Sequence, residues 1–185
     1  MLVGNSIHKG FSALLYRRYL KKKEGATAVE FALLFFPFFL LIMGVIELSL
    51  FYASGVMLEG AAVTSSRLVR TGQAQGSADP QATFKDTMCN QVGVMINCDN
   101  IIFESINLGN SFTNASETVP DIDDDGNLVS AGFDAGTSNE VIMIRLAYRH
   151  EFLLPLIGQF LGDSAGSNSA QHLSTIVLRT EPYSF

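Results

Sequence analysis

Residues 31–53 read FALLFFPFFLLIMGVIELSLFYA, and this stretch decides the fold class of the chain. Its one charged residue is Glu47. As a helix it would extend ~34 Å at about 1.5 Å per residue, enough to cross a hydrocarbon core of about 30 Å. A helix also pairs its own backbone amides, as lipid requires. A buried core helix is the alternative, but a chain of 185 residues has little protein to surround so many Phe side chains. We therefore expect a membrane-spanning helix.

Charges are distributed very unevenly on the two sides of this helix. Residues 1–24 contain six Lys or Arg and one acid, whereas residues 25–185 contain six Lys or Arg and seventeen acids. Basic residues beside a membrane helix favour the cytoplasmic side, so the cluster at 17–23 predicts a cytoplasmic N-terminus. Nucleic-acid binding needs basic residues spread over a folded face. Because the basic residues here lie on a short leader, we expect no nucleic-acid partner.

An ordinary secretory signal is the alternative for the N-terminal region. The apolar core of such a signal is usually about 7–15 residues long and ends at an Ala-x-Ala-like site. The apolar run in this chain is longer and continues into Phe51-Tyr-Ala-Ser-Gly55. We therefore expect the helix to be kept as an anchor.

The junction between leader and helix reads KKKEGATAVEFAL over residues 21–33. An acid at the edge of an apolar run is costly unless another group pairs with it. With Gly25, the segment Val29–Leu33 and Pro37, this junction resembles the type IV prepilin signal, and more closely the TadE-like pseudopilins of the Tad (Flp) pilus system. The sequences around Arg70–Gly72 and Arg179–Tyr183 also look like TadE patterns.

The resemblance implies cleavage after Gly25 by a prepilin peptidase on the cytoplasmic side. Ala26 would then be the first residue of the mature chain and Glu30 the fifth. The new α-amine, with a pKa of about 8, is cationic at neutral pH. A Glu30 carboxylate on a neighbouring subunit could neutralise that amine, since charges survive in a low-dielectric interior only when matched. The alternative is that Glu30 caps the helix N-terminus, and both roles are compatible.

The function that the resemblance implies is structural: a minor pseudopilin that takes part in assembly of a Tad/Flp pilus, and not an enzyme. The implied location is the bacterial inner membrane, with a single pass and a periplasmic domain that enters the fibre or stays at its base. The implied partners are the lipid bilayer, the prepilin peptidase, other pilin or pseudopilin subunits and the Tad assembly machinery. The alternative is a signal-anchored extracytoplasmic binding domain, unrelated to pili and calcium-dependent.

The predicted fold class is α+β, in which a long N-terminal transmembrane helix continues into a small pilin-like domain. The sequence divides into a cleaved basic leader at 1–25, a transmembrane helix at 26–55, a helix extension at 56–72 and an extracytoplasmic globular domain at 73–185. Gly72 suits a left-handed C-cap, and Arg70 suits the negative end of the helix. Pro37 and Gly44 are expected to kink or thin the helix.

Glu47 lies deep in the apolar run, and its role stays open at this stage. It could pair with another subunit, extend its carboxylate to the interface, or mark the point where the helix leaves the lipid.

The globular domain is predicted to contain a short antiparallel sheet and one or two packed helices. Asp79 and Pro80 form a helix start, with Asp as N-cap and Pro in the first turn. An apolar stripe follows at helical spacing and predicts a packed face; its members are Phe84, Met88, Val92 and Met95. Strands are expected at 101–108, 140–152 and 172–180, where alternation indicates one buried face.

Cys89 and Cys98 are the two cysteines of the chain, and both fall outside the cytoplasm in the predicted topology. An oxidising compartment favours a disulfide, which would stabilise a loop of about ten residues by roughly 2–3 kcal/mol. Two free buried thiols are the alternative. A metal site is not expected, because no His lies nearby.

Asp121, Asp123 and Asp125, followed by Gly126, match the first half of a calcium-binding loop. The second half does not match, because Gly132 occupies the position of the bidentate Glu. A solvated acidic loop is the alternative, and calcium is the one cofactor that the sequence suggests. His150 and His172 lie near strand ends without a catalytic motif, so neither is predicted to be catalytic.

Overall fold

A computed structural model describes residues 24–93, 95–163 and 167–184. The chain divides into two units, residues 1–45 and residues 46–185. The predicted leader at 1–25 therefore lies outside the described residues, apart from its last two. The unit boundary falls at Val45, ten residues before the predicted end of the transmembrane helix.

A single helix, α1 (Glu24–Arg70), contains the apolar run and the predicted extension. Pro37 lies inside it. The helix ends as its sequence predicts: Gly72 has φ +79°, and its backbone N–H donates to the carbonyl of Val69 at 3.3 Å. The left-handed backbone at residue 72 ends the helix, and glycine adopts this φ at little cost because it has no Cβ.

The folded unit contains a three-stranded antiparallel sheet. Its strands β1 (Ile101–Asn107), β2 (Val141–Glu151) and β3 (Ser169–Arg179) lie in the order β1-β2-β3. The central β2 pairs with both neighbours, so that Ile144 lies between Ser105 and Ile176. The predicted α+β fold class is confirmed.

One face of the sheet packs against two helices, the part of α1 from Ile46 onward and α2 (Pro80–Val92). The Asp79 carboxylate caps α2 by accepting from the N–H of Ala82 at 3.0 Å, as predicted. The buried core that these helices form with the sheet includes Leu58, Ala61, Ala62, Phe84, Met88, Val92, Ile142, Ile144 and Leu146.

Met95 was expected on the same buried stripe, and this expectation is wrong. Its side chain is 41% exposed. The reason is that α2 ends at Val92, so that Met95 lies beyond the last turn and no longer follows the helical spacing. Three shorter elements complete the unit: a 3-10 turn (Cys98–Asn100), α3 (Thr113–Glu117) and α4 (Pro155–Leu161).

The opposite face of the sheet holds a buried ion pair between neighbouring strands. Arg145 on β2 donates to Glu104 on β1 at 2.7 Å, and both side chains are almost fully buried. Glu104 also accepts from the N–H of Ala131 at 2.9 Å, and Arg145 donates to the carbonyl of Thr118. The pair therefore holds the long β1–β2 connection against the sheet.

We predict that Arg145→Met lowers the free energy of unfolding of the folded unit by about 3–5 kcal/mol, because it leaves the buried Glu104 without its countercharge. Urea unfolding of the full chain in detergent, followed by circular dichroism, measures the change. Lys85→Met is the control: Lys85 lies 3.9 Å from Asp99 in an exposed pair, so its loss should cost about 1 kcal/mol or less. Equal losses for the two variants would contradict the structural role of the buried pair.

Candidate functional site: an exposed apolar helix and its attachment to the folded unit

The first part of α1, residues 25–45, has an apolar surface that the described protein leaves uncovered. An 18-residue window in this helix has a mean hydropathy of 2.5, and none of the window is buried. Leu34 is 75% exposed, and Leu33 and Phe31 are similarly exposed. The rings of Phe31, Phe35 and Phe39 stack at i, i+4 spacing, with centroids 5.4 and 5.8 Å apart. This is the one helix of the described residues that is long and apolar enough to cross a membrane.

The predicted processing residues all lie at the start of this helix. Gly25 and Ala26 are in its first described turn, and Glu30 is in the second, with exposed surfaces at all three positions. A Cβ atom added at Gly25 would contact nothing within 4 Å. Packing among the described residues therefore does not require glycine at position 25.

Glu47 is 1% exposed, and its carboxylate is bound within its own chain. Oε1 accepts a hydrogen bond of 2.6 Å from the backbone N–H of Leu153, in the segment that connects β2 to α4. This contact within the chain is one that the sequence did not suggest, and a place for Glu47 at the lipid boundary stays a prediction. Glu47 attaches α1 to the folded unit two residues after the unit boundary.

One turn further along α1, Phe51 and Ser54 contact two histidines of the sheet. The ring centroid of Phe51 lies 4.3 Å from that of His172 and 5.5 Å from that of Phe152. The Ser54 hydroxyl donates to the carbonyl of Phe51 at 2.7 Å. Its Oγ lies 3.2 Å from Nε2 of His172 and 3.4 Å from Nδ1 of His150. The cluster brings together residues that the sequence did not connect, because they belong to three separate elements.

Both imidazoles of this cluster resist protonation. Burial lowers the pKa of His150, and the neighbouring Glu47 carboxylate acts in the opposite direction. Burial also lowers the pKa of His172, and the charge of His150 lowers it further, whereas a hydrogen bond with the Phe51 carbonyl raises it. Ser54 is 3% exposed, so its hydroxyl is not open to a substrate. The cluster is therefore suited to joining helix and sheet.

Residues 25–67 match the TadE-like protein family. This is the family that the junction and the apolar run resemble. No curated protein and no solved structure matches the chain.

The TadE-like segment ends at Arg67, close to the end of α1, so the sheet lies beyond the match. The segment includes Gly25, Glu30 and the exposed helix, together with Glu47, Phe51 and Ser54. The resemblance predicted at Arg179–Tyr183 lies outside the matched residues and stays a prediction.

A disulfide joins Cys89 to Cys98 outside the TadE-like segment, with their Cα atoms 5.3 Å apart. Cys89 lies in the last turn of α2, and Cys98 begins the 3-10 turn that leads into β1. The disulfide therefore closes the connection between α2 and the first strand.

The predicted calcium loop is a tight hairpin turn whose oxygens have protein partners. Asp123 accepts from the N–H groups of Asp125 and Asn127 at 3.0 and 2.7 Å. Arg149 donates to the Asn127 side chain at 2.7 Å and to the Asp125 carbonyl at 2.9 Å. Among the described residues, no group of three or more His, Cys, Asp or Glu side chains is placed to hold a metal ion. Calcium binding through Asp121, Asp123 and Asp125 stays a prediction, which equilibrium calcium binding to the full chain would test.

We predict that the folded unit loses stability as pH falls from 7 to 5. Unfolded histidines bind protons near pH 6.5, whereas folded His150 and His172, with lowered pKa values, bind them at lower pH. The unfolded state therefore holds more protons in this window, so the free energy of unfolding rises with pH. The contribution of the two histidines to that free energy is complete above about pH 6.5. Thermal unfolding of the full chain in detergent at several pH values measures the slope.

The control for this prediction is the double variant His150→Gln and His172→Gln, which removes both titrating groups. The quantity compared is the change of its stability with pH, and not its stability at any one pH. A slope between pH 5 and 7 that is unchanged in this variant would exclude the histidine cluster as its source.

Proposed function

We propose that this chain is a minor pseudopilin that takes part in assembly of a Tad/Flp-type pilus. The observation that carries the proposal is that two features coincide in the same residues. The TadE-like match covers residues 25–67, and the same residues form a helix whose first part is apolar and uncovered. A pilus subunit uses such a surface twice, first against lipid and then against the helices of other subunits.

In this proposal, residues 26–45 cross the inner membrane once, with the N-terminus in the cytoplasm. The basic residues between Arg17 and Lys23 support this orientation, since cytoplasmic flanks are enriched in Lys and Arg. The acidic folded unit is then periplasmic, where an oxidising environment is compatible with the Cys89–Cys98 disulfide.

Prepilin peptidase cleaves the leader after Gly25 in this account, and Ala26 becomes the new N-terminus. The cleavage gives a cationic α-amine at the end of an apolar helix. Glu30 of an adjacent subunit pairs with that amine, and the pair sets the axial register between helices. Exposure of Glu30 supports the pairing, because its carboxylate is available to a second chain.

We predict that Gly25→Val blocks cleavage, so that the intact mass of the membrane protein includes residues 1–25, whereas the wild-type chain begins at Ala26. Intact-mass spectrometry of protein from cells that contain the peptidase measures both. Gly60→Val is the matched control, because Gly60 lies in the same helix and a Cβ there also meets open space. Valine is the better helix former of the two residues, so neither change weakens α1. An uncleaved wild-type chain would contradict the proposal.

We also predict that Glu30→Gln is inserted and cleaved normally but loses assembly by about ten-fold or more, as expected when a charge in a low-dielectric site loses its partner. Pilus yield and co-purification with other pilus subunits measure assembly. Glu59→Gln is the control, since Glu59 is another exposed acid of α1. Normal piliation by Glu30→Gln would show that the carboxylate charge is not needed.

A further inference from the structure

We propose that the segment around α4 forms a second, shallow contact with the lipid bilayer. Four apolar side chains make up this surface, which we call the apolar foot: Leu153, Leu156, Phe160 and Leu161. The inference rests on the proposed function in one respect, which is that residues 26–45 cross a membrane.

All four side chains of the apolar foot are exposed. Phe160 is 80% exposed and Leu153 is 70% exposed, and the other two members are also exposed. Residues 152–162 contain no charged side chain. Single exposed apolar residues are normal on a protein surface, but a contiguous group of them marks an interaction site.

The inner side of α4 is fixed to the sheet, and this directs the foot outward. Gly158 is buried, and a Cβ atom there would overlap the side chain of Asn168. Asn168 in turn donates to the carbonyl of Phe152 at 2.6 Å. Leu156 and Phe160 are four residues apart and so share one face of the helix, away from Gly158. The contacts of Gly158 and Phe152 with Asn168 therefore fix the position of the helix that carries the foot.

The occupant of this surface is inferred from where the foot begins along α1. The N–H of Leu153 donates to the carboxylate of Glu47, so the foot begins beside residue 47 of α1. Glu47 follows Val45, the last residue of the uncovered apolar unit, by two positions, which is ~3 Å of helix rise. Because Leu153 is hydrogen-bonded to a residue that follows that unit by two positions, the foot begins close to the point where the proposed membrane helix ends. The occupant is therefore the interfacial region of the bilayer, into which apolar side chains of surface-lying segments insert by about 5–10 Å.

Tryptophan fluorescence tests this contact, because the chain contains no Trp. Phe160→Trp in the full chain, reconstituted in nanodiscs, gives a single reporter on the foot. Phosphatidylcholine brominated on its acyl chains quenches Trp that enters the lipid. We expect emission to fall by about two-fold or more, with bromines near the headgroup more effective than bromines near the chain end, as a shallow insertion requires.

Two further single-Trp variants serve as references. Phe36→Trp reports on the membrane helix and should be quenched most by bromines deep in the bilayer. Phe112→Trp lies on an exposed part of the folded unit, at the start of α3, and should not be quenched. Adding Leu156→Asp to Phe160→Trp should remove the quenching at position 160, because a charge on the same face opposes insertion.

The outcomes separate the two proposals. Quenching at 36 together with shallow quenching at 160 supports the apolar foot. Quenching at 36 with a water-exposed Trp at 160, or with one shielded by protein and not quenched by lipid, overturns the foot and leaves the membrane helix intact. Absence of quenching at 36 overturns the membrane anchor itself.

Discussion

The uncovered apolar surface of residues 25–45 is the constraint on which the rest of the structure depends. Eleven large apolar side chains from Val29 to Val45 are exposed. Moving one such side chain out of water is worth about 1.5–3 kcal/mol, so together they amount to roughly 20 kcal/mol. This exceeds the 5–15 kcal/mol that typically stabilises a whole domain. Such a surface is compatible with a membrane anchor, and our proposal assigns lipid and the helices of other subunits to cover it.

The transition occurs within a few residues and depends on polar contacts. A buried carboxylate on an otherwise apolar helix is costly unless it is hydrogen-bonded. Glu47 receives its hydrogen bond from Leu153, and Ser54 and the two histidines continue the contact one to two turns later. These groups have partners only when α1 lies in one axial position against the sheet. They therefore determine where on the helix the folded unit attaches, whereas the apolar core contributes most of the burial.

Much of the fold follows from the sequence because its signals are local. Gly72 ends one helix through its left-handed backbone, and Asp79 begins the next through its N-cap hydrogen bond; both features involve only nearby residues. The alternation of apolar and polar residues along β2 predicts a strand. Met95 was misplaced because a spacing rule cannot show where a helix stops. The Glu104–Arg145 pair and the Glu47–Leu153 hydrogen bond join residues 41 and 106 positions apart, and no local pattern identifies such partners. The predicted processing residues Gly25, Ala26 and Glu30 come from the resemblance to a family, since the role proposed for them depends on other proteins.

Spin-label accessibility in nanodiscs tests most directly where lipid ends and the folded unit begins. The protein's two cysteines form a disulfide, so one added cysteine provides a single labelling site. Leu34 and Val56 suit the comparison, because both side chains on α1 are about equally exposed, at 75% and 68%. The account predicts that a label at 34 is relaxed mainly by oxygen, which concentrates in lipid, and a label at 56 mainly by a water-soluble nickel complex. Equal access of the nickel complex to both labels would contradict it.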